Sequence, residues 1–360
     1  MKKINLKLTQ SYPIIFLKGL SSFSLPLKKY LQQKKVFIIS DTNVAKIYLD
    51  TVKTLLAKDN ILVHSYVFKA GEEQKTIKTL SDIINYAMSS GIDRQYVVIA
   101  LGGGVVGDIA GFFASVYMRG LKYIQLPTTL LAMVDSSIGG KTAVNTDTGK
   151  NIAGTFYQPQ CVLINPQFLH TLNSRHLKNG MAEVIKYAVS FDNKFFQQLK
   201  LIFSKSIISE KDFAYIIYKS CKYKADIVQK DEKETKGIRD LLNFGHTFAH
   251  ALETVTKYKK FLHGEAVVFG MIFVCKLAEK ISYARKGTAE ILEDMLINAG
   301  FNTKINVKYD NEKFLKVMKR DKKSISKKIK FVLPRRIGSI KSQIEVDDKT
   351  VLNLLKEVLE

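Results

Sequence analysis

Leu101-Gly102-Gly103-Gly104-Val105-Val106-Gly107-Asp108 is the stretch on which the fold reading turns. It follows Tyr96-Val97-Val98-Ile99-Ala100, an apolar, β-branched run of strand length. It leads into residues 109–117, where small and apolar residues alternate as on a packed helix. Gly102, Gly104 and Gly107 satisfy G-x-G-x-x-G in a strand–turn–helix setting. Glycines let the backbone approach a bulky ligand and take angles that other residues avoid. The amides at the following helix start can hold an anion such as a pyrophosphate. The acid that a Rossmann pattern places about 20 residues further on is missing, because Asp135 lies beyond another strand. The ribose must then be held from elsewhere.

Upstream, Val36 to Ser40 reads as a strand, and Asp41-Thr42-Asn43 after it is a good helix N-cap and a grip for ribose hydroxyls. Residues 44–56 have helical spacing and 61–68 read as a strand. After Gly71-Glu72-Glu73-Gln74-Lys75 comes a helix with Ile77, Leu80, Ile83, Ile84 and Ala87 on one face, stopped by Gly91. Downstream, residues 122–126 and 161–165 are strands, each followed by a proline. This alternation predicts an α/β domain with a parallel, Rossmann-like sheet and helices on both faces.

Between those strands, residues 128–156 are rich in Gly, Ser, Thr and Asp with little periodicity, which is the texture of a functional loop. Gly139-Gly140-Lys141-Thr142 is not a Walker A, since Asp135 stands where its first glycine belongs. From about Asn173 long helical patterns take over, at 180–190, 195–208, 213–230, 241–255 and 265–281. Helices at 289–299 and 311–319, a strand at 329–333 and a helix from Asp348 follow. The reading is two domains, 1–172 and a mostly α-helical 173–360, with the active site in the cleft between them.

A chain of 360 residues accommodates two cores, and its 46% hydrophobic and 25% charged content is that of a globular protein. No apolar run is long enough to span a bilayer, and no signal peptide is evident. Cys161, Cys221 and Cys275 lie far apart, which suits a reduced cytoplasm. The net charge of +23 is spread along the chain and accompanies no nucleic-acid-binding motif. Neither nucleic acid nor membrane is expected as a partner.

Arg239, Asn243, His246 and His250 recur at spacings of four, three and four, which on a helix puts them on one face. His263 follows before another apolar stretch, and Glu183 and Lys186 stand one helical turn apart. Two histidines and a glutamate make a catalytic zinc site with an open position. The spacing leaves two histidine pairs open, His246 with His250 or His246 with His263.

These motifs resemble the 3-dehydroquinate synthases of the sugar-phosphate cyclase superfamily, from about Val36 to Gly338. The resemblance is carried by residues 102–108, Tyr117-Met118-Arg119-Gly120, Leu126-Pro127-Thr128-Thr129, Met133-Val134-Asp135-Ser136-Ser137 and Gly139-Gly140-Lys141-Thr142. It continues in Gly149-Lys150-Asn151, Gly180-Met181-Ala182-Glu183, Leu242-Asn243-Phe244-Gly245-His246-Thr247 and His263-Gly264-Glu265. It implies zinc or cobalt on Glu183, His246 and His263. It implies NAD against Asp41, Asn43, Glu72, Lys75, Gly103, Gly104, Val105, Asp108, Thr128, Thr129, Asp135, Ser136, Lys141, Lys150 and Thr171. The implied substrate pocket uses Asp135, Lys141, Lys150, Asn151, Lys186, Lys224, Arg239, Asn243, His250 and either Lys322 or Lys323. The chain is expected to form a homodimer in which Arg119 reaches the partner's site.

The implied reaction takes 3-deoxy-D-arabino-heptulosonate 7-phosphate to 3-dehydroquinate and phosphate. It passes through transient oxidation by NAD, phosphate elimination, re-reduction, ring opening and aldol closure. The nearest rival is a cyclase of the same superfamily acting on sedoheptulose 7-phosphate or glucose 6-phosphate. Those substrates have no carboxylate for Arg239 to grip. More distant rivals are a metal-dependent alcohol dehydrogenase and a basic nucleic-acid-binding module.

Overall fold

The computed structural model describes residues 2–31, 33–147, 149–305, 308–320 and 329–359. Lys322 and Lys323 lie outside the described residues. The chain divides into two bodies, residues 1–173 with 224–233, and residues 174–223 with 234–360. Among the described residues, no helix is long and apolar enough to cross a membrane.

The first body is built on seven strands, β1 (Lys3–Leu6), β2 (Tyr12–Phe16), β3 (Lys35–Asp41), β4 (Leu62–Phe68), β5 (Val97–Gly102), β6 (Tyr123–Pro127) and β9 (Cys161–Ile164). Their order is β1-β2-β9-β6-β5-β3-β4, and every pairing is parallel except β1 with β2. The small helices α1 (Ser24–Leu27), α2 (Thr42–Val44) and α3 (Asp50–Ala57) and the longer α4 (Ile77–Ser89) and α5 (Gly104–Val116) connect them. The parallel Rossmann-like sheet is therefore present, with an antiparallel edge that residues 3–16 supply and that the sequence reading left out.

From β3 the chain places β4 on one side and β5 on the other, so the strand order reverses between β3 and β5. Ligands of open α/β sheets bind at the carboxyl ends of strands at such a reversal. Asp41 ends β3 and Gly102 ends β5, with Ser40 paired to Leu101 and Gly102 paired to Pro127. Beneath them, Phe37, Ile39, Val98, Ala100, Ile109 and Phe113 form one apolar cluster. Phe37 meets Phe113 edge-on at 5.6 Å, and each ring so buried contributes about 2–3 kcal/mol.

The described residues of 128–156 hold more regular structure than their composition suggests. They hold a turn of π-helix, Ala132–Ser136, and a hairpin of β7 (Lys141–Thr146) and β8 (Gly149–Phe156). Most of β8 is exposed, so no apolar alternation marks it. The chain closes on Gly154, where a Cβ would stand 2.2 Å from the Thr142 carbonyl oxygen. Lys141 opens β7 and no helix, consistent with the rejection of a Walker A.

The second body contains α6 (Ser174–Phe191), α7 (Asn193–Phe203), most of α8 (Glu210–Lys230), α9 (His246–Val255), α10 (His263–Lys280), α11 (Thr288–Asn298) and α12 (Asn311–Arg320). A β-ribbon of β10 (Ile329–Arg336) and β11 (Ser339–Val346) and the last helix, α13 (Asp348–Leu359), complete it. The last residues of α8, from Lys224, belong to the first body. Helix α10 is buried on nearly all sides and packs against α6, α9 and α11. Phe248 of α9 stacks on Phe273 of α10 at 4.7 Å.

One expectation fails here. Arg239, Asn243, His246 and His250 do not share one helix. Arg239–Asn243 is a separate 3-10 turn, and α9 starts only at His246. Gly245 breaks the run with a φ of 80°, and a Cβ there would lie 2.7 Å from the Met271 nitrogen on α10. Close packing of two backbones overrides the helical spacing at this point.

Candidate active site

The glycine turn works by closeness and not by unusual angles. None of Gly102, Gly103, Gly104 and Gly107 has a positive φ, so the angles that glycine allows go unused here and only the close approach is realised. A Cβ on Gly102 would lie 2.5 Å from the Val106 side chain, and one on Gly107 would lie 2.8 Å from Gln125 Oε1. On Gly103 and Gly104 the same atom would meet Thr129 at 3.1 Å and Ser136 Oγ at 3.0 Å. Helix α5 starts at Gly104, five residues before the expected 109, so the amides of Gly104, Val105 and Val106 form its first turn. Such a turn attracts anions.

Around that turn, Asp41 caps α2 by accepting the Asn43 and Val44 amides on Oδ1 at 2.9 and 3.0 Å. The buried Lys75 ammonium donates to Asp108 and, at 2.5 Å, to Asn151 Oδ1. Burial pushes the Asp108 carboxyl up against the pull of that ammonium. Glu72 accepts from Asn145 Nδ2 at 3.0 Å and lies 3.9 Å from Lys150 Nζ. Asn145 also accepts the Asn151 amide at 3.0 Å, holding Asn151 at a φ of 56°. Lys224 pairs with Asp135 at 2.7 Å. The Thr128 amide donates to the Gly102 carbonyl, while its buried hydroxyl has no hydrogen-bond partner. The Thr129 hydroxyl accepts the Ala132 amide, and Thr171 bonds the Tyr48 hydroxyl. Lys141 is exposed at the head of β7, and Arg119 is exposed on a turn where Met118 and Arg119 both take positive φ.

In the second body, Glu183 on α6 comes together with His246 at the start of α9 and His263 at the start of α10. Their candidate ligand atoms lie within 4.8 Å of one another. Each histidine presents Nε2 at 3.7 Å from Glu183 Oε1. Tetrahedral zinc bonds of about 2.1 Å would put neighbouring donors about 3.4 Å apart, so little movement is needed to close on an ion.

The opposite ring nitrogens are spoken for. His246 Nδ1 faces the Phe244 carbonyl at 3.2 Å, and His263 Nδ1 faces Glu253 Oε1 at 3.4 Å. Contacts of this kind fix which nitrogen is left for a metal. Burial holds His246 well below the ordinary imidazole range. Burial also opposes charge on His263, but the hydrogen bond and charge of Glu253 outweigh it and raise its pKa. Glu183 is 1% exposed and pairs with Lys186, itself 2% exposed. Neither Glu183 oxygen accepts a hydrogen bond of good geometry. A buried carboxylate in that state is costly, and a divalent cation satisfies it.

Between the two histidine pairs left open by spacing, the geometry favours His246 with His263. His250 stays close, its ring centroid 5.4 Å from that of His246. Arg239 is buried on the 3-10 turn and Asn243 is half-buried at its end. The sequence reading missed Glu253 and Asn145. Glu253 could have been found, since His246, His250 and Glu253 follow at spacings of four and three along α9. Nothing marks Asn145 in advance.

The family model for the 3-dehydroquinate synthase N-terminal part matches residues 65–179, and that for the C-terminal part matches residues 180–324. A 3-dehydroquinate synthase of Endomicrobium trichonymphae is 52% identical over 98% of this chain and 97% of its own. A solved 2-epi-5-epi-valiolone synthase from Streptomyces hygroscopicus, with NAD+ and Zn2+ bound, superposes with a TM-score of 0.88. It is 27% identical, with 99% of this chain and 98% of that one covered. A crystal structure of 2-deoxy-scyllo-inosose synthase, complexed with carbaglucose-6-phosphate, NAD+ and Co2+, shares the fold at a TM-score of 0.86 and 24% identity, covering 99% and 100% of the two chains. By sequence along nearly its whole length, this chain belongs to the 3-dehydroquinate synthase family.

Proposed function

We propose that this chain converts 3-deoxy-D-arabino-heptulosonate 7-phosphate to 3-dehydroquinate and phosphate, as a carbon–oxygen lyase of the shikimate pathway. What carries this reading is Glu183, a buried carboxylate without a good hydrogen bond, faced by Nε2 of His246 and His263 in a chain of this family. Residues 1–172 bind NAD and residues 173–360 hold the metal, Zn2+ or Co2+, and the substrate. When bound, the nicotinamide takes up and returns a hydride, and the divalent ion polarises the substrate oxygens beside it.

The chain's own residues do the rest. Gly103, Gly104 and Val105 offer amides and open space to the cofactor's phosphates, and Asp41 and Asn43 take its ribose hydroxyls. Glu72, Lys75, Asp108, Thr128, Thr129, Asp135, Ser136 and Thr171 complete that cradle. Lys141, Lys186 and Lys224 neutralise the substrate's phosphate, Lys150 lines the same pocket, and Arg239 grips the carboxylate as a fork. Asn151, Asn243 and His250 orient its hydroxyls. Oxidation acidifies the neighbouring C–H, and the substrate's departing phosphate accepts that proton. Holding the opened chain folded makes aldol closure intramolecular, an entropic gain. The enzyme works in the cytoplasm as a homodimer, with Arg119 reaching the partner's site.

The test is phosphate release from the heptulosonate phosphate with NAD and Zn2+ supplied. Release without net NADH is expected, and chelation should abolish it. Steady NADH production would point to a dehydrogenase instead. Arg239→Ala should cripple turnover, and unchanged kinetics would sink the carboxylate assignment.

A further inference from the structure

We propose that one face of α6 is a rail that positions the loop delivering His263, with Arg175 and Asn179 as its positioning residues. The inference rests on the reading of Glu183, His246 and His263 as a metal triad.

Arg175, Asn179 and Glu183 follow one another at intervals of four, so they stack along one side of α6. Glu183 supplies the carboxylate. One turn before it, Asn179 Oδ1 accepts the Gly264 amide at 2.6 Å. A Cβ on Gly264 would lie 2.1 Å from the Asn179 carbonyl oxygen, so the loop backbone rests directly on the helix. A further turn back, Arg175 holds Glu265 at two points, Nε to Oε1 at 2.7 Å and Nη2 to Oε2 at 2.8 Å. Its Nη2 also donates to the Lys260 carbonyl at 3.4 Å. Glu265 Oε2 in turn accepts the Leu262 amide at 2.9 Å.

The residues on both sides of His263 are thus tied, directly or through Glu265, to the helix that carries Glu183. With Nδ1 of His263 facing Glu253, the ring has little freedom left to lose when it takes a metal, and preorganisation of this sort raises affinity. The Glu265–Leu262 bond by itself is an ordinary helix-start contact. A role confined to folding would therefore lower the melting temperature and leave metal affinity alone.

The experiment is a Zn2+ titration of the metal-stripped full chain against a chromophoric chelator, with the melting temperature measured alongside. Removing direct hydrogen-bond partners of metal ligands costs roughly 10–100-fold. Asn179 acts one step further out and is buried, so Asn179→Ala should weaken Zn2+ binding about ten-fold. The Arg175 side chain is 57% exposed and its pair is screened by water, so Arg175→Gln should cost about three-fold. Asn179→Asp keeps an acceptor for the Gly264 amide and should recover most of the affinity. If Asn179→Ala does not fold, Glu265→Gln gives the answer, since it loosens the Arg175 grip and is expected to cost about three-fold. A lower melting temperature with unchanged Zn2+ affinity in the folded variants overturns the rail. His263→Ala is the control: if it binds Zn2+ as tightly as the parent chain, the triad reading itself falls.

Discussion

The glycine turn of the first body and the histidine cluster of the second are built in opposite ways. The turn uses backbone: amides at the start of α5, glycines pressed against Val106, Thr129, Ser136 and Gln125, and strand ends held in register. The cluster uses side chains from three helices that meet in space and stand up to eighty residues apart in sequence. A backbone site is spoiled by adding atoms, and a side-chain site by removing them. The two can therefore be broken independently, and each break should leave the other ligand's affinity untouched.

The largest expected effect is in the cluster. His246→Ala removes a proposed metal ligand whose Nδ1 is already held by the Phe244 carbonyl. Loss of an outer partner costs about 10–100-fold in metal affinity, so loss of the ligand itself should exceed about a hundred-fold. Metal content after dialysis and phosphate release should fall together, while NAD binding measured by calorimetry stays within error. Glu253→Ala comes next, with Zn2+ affinity lower by about ten-fold or more. A variant with full Zn2+ affinity would mean that Glu253 does not orient His263.

The matching break in the first body is Gly102→Ala. The added methyl would stand 2.5 Å from a Val106 branch at the first turn of α5. Overpacking of this kind costs about 2–3 kcal/mol. Expected are a lower melting temperature and weaker NAD binding, with Zn2+ affinity unchanged. If NAD affinity holds, the close packing at the turn serves stability alone.

The same contrast explains what could be read from the sequence. The β5–turn–α5 unit is local: an apolar run, three glycines and a helix, with each part adjacent to the next, so its residues announced it. The cluster could be read only as a set of residue types, and its pairing of histidines stayed open because Gly245, where backbone meets backbone on α10, breaks the helix that spacing implied. Hairpin β7–β8 escaped because most of β8 faces outward and carries no alternation. Strands β1 and β2 are only four and five residues long, too short for an alternating pattern to mark them. Glu253 was within reach by helical spacing from His246, whereas Asn179 and Arg175 gain their meaning only from the loop that folds back over α6.

The smallest effect separates the scaffold of the cluster from its ligands. Asp192 sits just after α6, caps α7 through the Lys194 and Phe195 amides, and holds Lys219 and the Tyr223 hydroxyl. Burial alone would raise its carboxyl, but the bonds from Tyr223, Lys219 and the Phe195 amide hold it down at about 2, below the ordinary aspartate range. A group whose folded pKa is depressed stabilises the fold above its unfolded pKa and loses that contribution as pH falls through the folded value. Its share, on the order of 2 kcal/mol, should therefore be intact at neutral pH and disappear between about pH 4 and pH 2. Asp192→Asn should lower the melting temperature at pH 7 and flatten the acid limb of stability against pH in that window. Zn2+ affinity at neutral pH should be unchanged, because Asp192 braces the far end of α6, two helical turns beyond Glu183. A parallel loss of Zn2+ binding would show that the end of α6 cannot be disturbed without moving the ligand it carries.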